Sequence, residues 1–563
     1  MPLRSSAAVS VFCRACRSPA WRLRSSRKPT MLNSRERANA REDSSGMRPD
    51  AIMGAPRKGG NTAGSEVLQE IELKLQVSAR LRATVQAEVA QGSGSVRERL
   101  RAAYYDTEDR RLARAGLALR LRQEGRGWVQ TLKGAGDHAM VRLEHEVPLA
   151  RAPRGAAPVL DLSRHDGTPA GVRLASVLGE AGAAGLKELY RTDILRTRRR
   201  LRVRGGMVEL AFDAGEIRAG RRSWPVCELE IELVSGSPAA VIDVARRWVR
   251  RHGLWLDVRT KAERGDRLAR GVETGEPVKA APLALGSGAT VESAWRAMLG
   301  NCLAQALPNA SEVAGGSARA EHLHQLRVGL RRLRSGLRFL EGWLDPVLEP
   351  GVAESVSRLF SSLGDARDAD VQAALMPELL AAGAPPLPPL RGGRGVDAVE
   401  LLRETDTTLL WLDLLAWLVK PPAAGSPDAA PARLIKPLAA RRLKRWHAQV
   451  AEAAGRFDSL ADEDRHRLRK RVKRLRYSIE FAGALFPSRR VERYLQRLRP
   501  AQESLGHFND VVVAQAGWRE RADDDPRAWF AVGWLAARRE AVLGECRAAL
   551  APLLLADVPK FWK

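Results

Sequence analysis

The chain has 563 residues and carries 93 Lys and Arg against 66 Asp and Glu, a formal net charge of +27. Such a balance favours a polyanionic partner, which could be nucleic acid, an anionic membrane or a phosphate polymer. Five scattered cysteines are too few for a disulfide framework, and no apolar run reaches the ~18 residues that a membrane span needs. The sequence therefore argues against a disulfide-rich scaffold and an integral membrane protein, and we expect a cytoplasmic location.

The chain divides into four segments. Residues 1–62 are rich in Arg, Ser, Ala and Gly without a sustained period, which predicts a disordered tail. Residues 63–272 carry mostly β signals, and residues 273–288 combine Gly, Pro and Ala as a linker does. Residues 289–563 show helical periodicity. The expected fold class is α+β multidomain, with a β domain followed by an all-α domain.

The β segment contains eight stretches that alternate polar and apolar residues as strands do. They are Glu70–Leu75, Arg101–Asp106, Ala118–Gln123, Trp128–Lys133, Met140–Val147, Asp193–Val203, Met207–Phe212 and Val226–Val234. Helical patterns cover Ser78–Gln91 and Pro238–His252, and a loop with a short helix lies between Pro158 and Gly185. Many short strands at regular spacing predict a sandwich or a barrel.

Strand after strand has one strongly ionic side, because residues i, i+2 and i+4 share a face. In the last strand Glu228, Glu230 and Glu232 lie on one side, and three carboxylates in a row would repel one another on an outer surface. For a single strand, a solvated face with surface ion pairs is the better explanation. For the whole set we favour an inner face, the wall of a charged tunnel in which a divalent cation neutralises the carboxylates.

Short motifs follow one another through this segment in a fixed order. They are Glu70-x-Glu72-x-Lys74, Tyr104-Tyr105-Asp106-Thr107, Leu119-Arg120-Leu121-Arg122, Thr131-Leu132-Lys133, Arg142-x-Glu144-x-Glu146, Phe212-Asp213-x-Gly215, Glu228-x-Glu230-x-Glu232 and Lys261-Ala262-Glu263-Arg264-Gly265. This ordered set, over roughly residues 66–270, resembles the CYTH superfamily of triphosphate tunnel metalloenzymes. Two positions depart from the pattern, Thr260 in place of Ser and Arg199 in place of an aromatic residue. The resemblance implies an antiparallel β-barrel whose tunnel binds a triphosphate.

For this tunnel we infer metal-dependent hydrolysis of a triphosphate, in which cations bind the phosphate charges and the metal neutralises the leaving group. The resemblance, together with the CHAD-like half described below, implies that the substrate is inorganic triphosphate (tripolyphosphate). The cations expected to bind phosphate are Lys74, Arg120, Arg122, Lys133, Arg142, Arg196 and Lys261. The carboxylates expected to hold Mg²⁺ or Mn²⁺ are Glu70, Glu72, Asp213, Glu228 and Glu230, with Glu144, Glu146, Glu209 and Glu232 as second candidates. The expected catalytic set is Glu70, Glu72, Lys74, Lys133 and Arg142.

The helical segment repeats a basic pattern on two helices. At 100° per residue, His324, Arg327, Arg331 and Arg334 share one face, and leucines occupy the other. His466, Arg469, Lys473 and Arg476 repeat this set at an offset of 142 residues, which indicates a duplication over about 289–420 and 433–563. The stretch His324–Arg334 reads H-x-x-R-V-x-x-R-R-L-R, and with its second copy, His466–Arg476, it resembles the CHAD domain. That resemblance implies two related four-helix bundles with a basic cavity, binding of inorganic polyphosphate by these eight residues, and association with polyphosphate granules.

Three functions stay open at this point. The first is a metal-dependent triphosphatase with a polyphosphate-binding appendage, and the second is a non-catalytic polyphosphate-binding protein. Other CYTH activities, such as adenylate cyclase or thiamine-triphosphatase, form a third group. Nucleic-acid binding is disfavoured, because aromatic residues are only 5% of the chain and no nucleic-acid motif is found. The sequence does not indicate an oligomeric state.

Overall fold

The computed structural model describes residues 69–136, 138–150, 157–179, 182, 185–344, 351–364, 376–386, 397–420, 433–555 and 557–562. The tail expected at residues 1–62 lies outside these ranges.

The β segment forms a closed antiparallel barrel. Within the described residues the strands are β1 Gln69–Gln76, β2 Val96–Thr107, β3 Leu117–Glu124, β4 Gly127–Ala135, β5 Val141–Leu149, β6 Leu186–Val203, β7 Gly206–Ala219, β8 Arg222–Gly236 and the short β9 Trp255–Leu256. The order is β5-β4-β3-β2-β6-β7-β8-β1, and the pairing of β1 with β5 closes the ring of eight, while β9 extends β1. The expected fold class, a barrel followed by a helical domain, is confirmed.

The two faces of the strands have opposite environments. Leu73, Leu75, Leu229 and Ile231 are buried in one hydrophobic cluster with apolar residues of the helix that follows β8. Because side chains alternate along a strand, the ionic residues between these leucines point to the other side, into the barrel. Glu72 lies opposite Glu232, and Lys74 lies opposite Glu230. Burial of the aliphatic faces therefore fixes which way the charges point.

Helices accompany the barrel and form the second half. The described helices are α1 Arg82–Ala90, α2 Arg111–Arg114, α3 Pro169–Leu178, α4 Ala239–His252, α5 Lys261–Arg270, α6 Val291–Ala314, α7 Ala320–Leu340, α8 Val352–Ser362, α9 Ala398–Arg403, α10 Thr405–Val419, α11 Ile435–Gly455, α12 Asp462–Ala482, α13 Ser488–Ala522 and α14 Ala528–Leu550. In α7 the leucine face is buried at Leu326, Leu330 and Leu333. Among the described residues, no helix combines the length and apolar character that crossing a bilayer requires.

The two halves are joined by direct contacts. Residues 273–288 form no helix or strand, but Asn309 of α6 exchanges hydrogen bonds with the backbone of Val278 at 3.2 and 2.9 Å. On another side, Arg246 of α4 forms an ion pair with Asp413 of α10 at 2.6 Å. The barrel and the first helices of the second half therefore share a packed and hydrogen-bonded boundary.

Candidate functional site

Three carboxylates converge on the inner face of the barrel. Asp213 of β7 lies opposite Glu228 of β8, and Glu230 is the next inward residue along β8. One oxygen from each of the three lies within 4.8 Å of the others. Asp213 and Glu228 are fully buried. This group, called here the carboxylate triad, is the cluster of potential metal ligands found among the described residues.

Two positively charged side chains contact the carboxylate triad. The Lys261 ammonium lies 2.7 Å from Asp213 Oδ2, 2.5 Å from Glu228 Oε1 and 2.7 Å from Glu230 Oε1. Arg196 donates two hydrogen bonds of 2.7 Å to Asp213 and one of 2.5 Å to Glu230. Burial opposes ionisation of Glu230, but Lys261 and Arg196 outweigh it and hold its pKa well below the usual range. Glu230 is therefore ionised at neutral pH.

Lys261 reaches the triad because it is the first residue of α5. Thr260 caps the helix, accepting a hydrogen bond from the Glu263 backbone, and the Glu263 carboxylate bonds the Thr260 N–H in return. This capping box fixes where the helix begins and so where the lysine stands. Arg264, one turn further along α5, forms an ion pair with Glu228.

The triad suits a hard divalent cation. Its ligands are all carboxylate oxygens, which Mg²⁺ and Mn²⁺ prefer, and they lie close enough together to share one ion. The two cations now in contact with the triad show that this position attracts positive charge. The donor set therefore fits a metal of the expected class.

The remaining two predicted metal ligands belong to a second ionic group on β1, β4 and β5. Glu70 accepts from Lys133 at 2.7 Å, and Lys133 also lies 3.0 Å from Glu144. Glu72 accepts from Arg142 at 3.0 Å. Burial, reinforced by Glu144 and only partly offset by Lys133, raises the pKa of Glu70 to about 7. The structure thus divides the five predicted ligands into a group of three and a pair.

A third group contains the remaining predicted phosphate-binding arginines. Arg122 lies 3.0 Å from Glu146, and Arg120 lies 3.5 Å from it. Arg120 also donates to the hydroxyl of Tyr104 at 3.3 Å. Burial opposes ionisation of Glu146, but Arg122 and Arg120 outweigh it and lower its pKa to about 2. The predicted cations and carboxylates of the barrel therefore face one another on its inner side.

Sequence reasoning missed a buried network behind the triad. Asp257 accepts three hydrogen bonds of 2.9 Å from Arg259, two from its guanidinium group and one from its backbone N–H, and one of 3.0 Å from Gln76. Gln76 also donates to Glu228 at 3.3 Å. The predicted residue Lys74 is buried beside this network, and burial lowers its pKa despite the attraction of Glu228. The Asp257-x-Arg259 spacing directly before the Lys261 motif was the available signal.

In the helical half, the predicted basic residues lie on α7 and α12. The guanidinium carbons of Arg327, Arg331 and Arg334 lie 5.1, 5.5 and 4.8 Å from the ring centre of Phe360. Arg327 is buried, whereas His324 is exposed. Part of the basic face of α7 is therefore covered by α8, which carries Phe360.

On α12 the second basic set is half-buried. His466 shares a 2.6 Å hydrogen bond with Asn509 of α13, and Arg476 lies 3.0 Å from Glu480. Arg469 and Lys473 lie between them on the same helix. Helices α7 and α12 are in contact, with Arg332 5.1 Å from the ring centre of Phe481. The structure thus brings the two helices together while partners restrain some of their basic residues.

Comparison with known proteins gives each half of the chain its own relatives. The CYTH domain family matches residues 68–265, and the CHAD domain family matches residues 297–519. An inorganic triphosphatase of Haemophilus influenzae is 29% identical over 206 residues, which are 35% of this chain and 54% of that protein. The chain therefore spans about half the length of the curated relative it matches.

Two solved structures resemble parts of the chain. The CHAD domain of the plant Ricinus communis is 30% identical and covers 49% of this chain and 96% of its own, with a TM-score of 0.41. An inorganic triphosphatase is 19% identical and covers 31% of this chain and 77% of its own, with a TM-score of 0.13.

Proposed function

The chain joins a CYTH domain to a CHAD domain, and we propose that it hydrolyses inorganic triphosphate in the barrel with the help of a divalent cation. The observation that carries this proposal is the carboxylate triad on the inner face, in contact with Lys261 and Arg196. An inner wall that offers both oxygen ligands and fixed cations matches a multiply charged phosphate chain with its metal. The name of the Haemophilus influenzae relative supports the same substrate class.

Different residues of the barrel would bind the phosphate groups and the metal. Arg120, Arg122 and Lys133 would bind phosphate oxygens, exchanging their present carboxylate partners for the substrate. Asp213, Glu228 and Glu230 would hold Mg²⁺ or Mn²⁺, which when bound supplies charge neutralisation at the phosphate oxygens. Since phosphoryl transfer depends chiefly on positioning and electrostatic stabilisation, fixed cations in a closed barrel suit it.

For the helical half we propose polyphosphate binding by the basic residues of α7 and α12. The arginines packed around Phe360 are preorganised, because their guanidinium groups are held against a ring. Neutralisation of phosphates releases counterions, so binding should weaken as salt rises. Competition between long polyphosphate and single-stranded DNA at physiological salt tests whether this face prefers the phosphate polymer.

The central experiment measures phosphate release from tripolyphosphate, ATP, thiamine triphosphate and long polyphosphate, with and without Mg²⁺, and cyclic AMP from ATP. The proposal requires Mg²⁺-dependent release from tripolyphosphate above the other substrates. Cyclic AMP as the main product would make the protein a cyclase, and preference for thiamine triphosphate would replace the substrate. Absence of turnover on all four, with polyphosphate still bound, would leave the non-catalytic binding function.

Matched variants locate the reaction. Asp213→Asn, and separately Glu70→Gln with Glu72→Gln, should abolish turnover if these carboxylates serve the metal. Glu216→Gln is the control, because Glu216 lies on the same strand as Asp213 but pairs with the exposed Arg218. Unchanged turnover in Asp213→Asn would remove the triad from the mechanism.

A further inference from the structure

The C-terminal end of helix α6, in the helical half, contacts the segment that carries Lys261, the lysine that pairs with the carboxylate triad. Glu312 of α6 is buried, with 4% of its surface exposed, and forms ion pairs with Arg267 and with Arg259 at 3.7 Å. The neighbouring Ser311 accepts a hydrogen bond of 3.1 Å from the Val258 backbone. One glutamate of the second half therefore faces two guanidinium groups from the barrel half.

Both arginines lie on the path to the carboxylate triad. Arg267 is on α5, the helix that begins with Lys261. Arg259 immediately precedes that helix and holds Asp257, which is linked to Glu228 through Gln76. Helix α5 packs closely against the barrel, because a Cβ at Gly265 would lie 2.2 Å from the ring of Tyr190. Helix α5 is thus held between the barrel wall and Glu312.

We propose that Glu312 is a positioning residue for the active site, acting through Arg267 and Arg259 to hold α5 and Lys261 against the carboxylate triad. The inference rests on the proposed function for its effect on turnover. The physical reason is that the buried guanidinium group of Arg259 and the half-buried one of Arg267 would lose a shared counter-charge if Glu312 became neutral. Arg267 and Arg259 would then rearrange around the carboxylates that remain, and this would shift the helix that delivers Lys261.

Glycines at the boundary leave the room that this arrangement needs. A Cβ at Gly275 would lie 2.4 Å from Nη2 of Arg267, and a Cβ at Gly315 would lie 2.5 Å from Nη1 of Arg259. A side chain at either position would displace the guanidinium group of Arg267 or Arg259 from its present place without changing any charge. Gly275→Ala is therefore a steric test of the same contact.

The chain supplies a matched control. Asp413 of α10 pairs with Arg246 of α4 across the same two halves, at 2.6 Å, but α4 carries no member of the triad. Asp413→Asn removes a charge at the boundary just as Glu312→Gln does. A general loosening of the two halves would affect both variants, whereas positioning of α5 would distinguish them.

The experiment uses the full chain and two readouts. Mn²⁺ binding is measured by calorimetry without substrate, and kcat and KM for tripolyphosphate are measured with Mg²⁺. For Glu312→Gln and for Gly275→Ala we expect a roughly 3- to 30-fold change in the Mn²⁺ dissociation constant and a fall of similar size in kcat. Asp413→Asn should stay within about twofold of the wild type in both, as expected for an ion pair on a separate path.

The outcomes separate the two proposals. If the wild type does not hydrolyse tripolyphosphate, the proposed function fails, and the Mn²⁺ comparison alone decides the role of Glu312. If Glu312→Gln and Gly275→Ala bind Mn²⁺ as the wild type or as Asp413→Asn does, the positioning role is overturned. If Glu312→Gln does not fold, Glu312→Asp and Gly275→Ala carry the same test. The double variant Glu312→Gln with Arg267→Gln should be no worse than Glu312→Gln alone.

Discussion

The ammonium of Lys261 lies 2.7 Å from Oε1 of Glu230, inside the cluster of oxygens that suits a divalent metal. A side-chain cation and a metal ion would therefore compete for one position. On the proposed function, a metal held by the triad would require Lys261 to turn away, and a phosphate oxygen of the substrate would offer its charge a new partner. Metal and triphosphate should consequently bind with positive coupling.

Removal of the lysine charge tests this competition. In Lys261→Met we expect tighter Mn²⁺ binding without substrate, because the carboxylate triad loses its internal counter-charge. Turnover of tripolyphosphate should fall by on the order of 10²-fold, since one cation near the reacting phosphates is gone. Calorimetry and phosphate release measure the two effects. Lys187→Met is the control, since Lys187 is an exposed β6 lysine paired with Glu108.

Substitution of two glutamates on β8 should change stability in opposite directions. Burial and the neighbouring Glu70 raise the pKa of Glu232 to about 7. Its ionisation in the folded protein therefore costs stability, and that cost grows as pH rises from 4.5 to 7. Glu232→Gln should stabilise the metal-free protein at pH 8 by about 1–3 kcal/mol and change it little at pH 5. Thermal unfolding at the two pH values measures the difference.

Glu230 is the matched comparison. Because Lys261 and Arg196 overcome burial and hold its pKa well below the usual range, it stays ionised at both pH values. Glu230→Gln should destabilise the metal-free protein by about 3–5 kcal/mol at pH 8, the range for breaking a buried ion pair. Equal effects of the two substitutions at pH 8 would contradict this assignment of charges.

A buried histidine outside the tunnel predicts a loss of stability in mild acid. His165 shares hydrogen bonds of 2.9 Å with His145 and 3.0 Å with Gln130, and burial and His145 lower its pKa to about 4. Between pH 6.5 and 4, His165 is protonated in the unfolded chain but stays neutral in the folded chain. The free energy of unfolding therefore decreases as pH falls. His165→Gln should reduce the loss of unfolding midpoint between pH 7.5 and pH 5.

The arginines around Phe360 predict a salt effect. Replacing Arg331 and Arg334 by Gln should weaken binding of long polyphosphate and reduce the slope of log affinity against log salt by about 0.7 for each phosphate that is no longer neutralised. The control replaces Arg456 and Arg499 by Gln, because both are exposed, lie outside α7 and α12, and are paired with Glu452 and Glu492. Fluorescence titration at several salt concentrations gives the slopes. An equal change in the control variant would mean that the effect follows net charge and not this face.

Much of the barrel could be predicted from alternation alone. All eight predicted strands are present, because buried aliphatic residues mark one face of each so clearly. The predicted extents are too short for β6, β7 and β8, since charges on both faces, as at Glu188 and Arg191, hide the alternation at their ends. Placement of the ionic residues on one inner wall followed from parity.

The pairing of those charges could not be predicted. That Lys261 reaches three carboxylates depends on where α5 meets the closed barrel, and that Glu312 meets Arg267 depends on how the two halves pack. Both are contacts between residues far apart in the chain. Periodicity reports the environment of a side chain but not the identity of its distant partner.

The closure of the barrel has a consequence for biosynthesis. Strand β1 pairs with β5 on one side and with β8 on the other. During synthesis β1, which carries Glu70, Glu72 and Lys74, therefore cannot pair on both edges until β8, which ends at Gly236, has left the ribosome. Such distant pairing is slow to form. Until then the charged side chains of β1 disfavour pairing of its open backbone edge with another chain, as charged residues do on natural edge strands. The side chains that line the finished barrel would thus also protect the nascent chain.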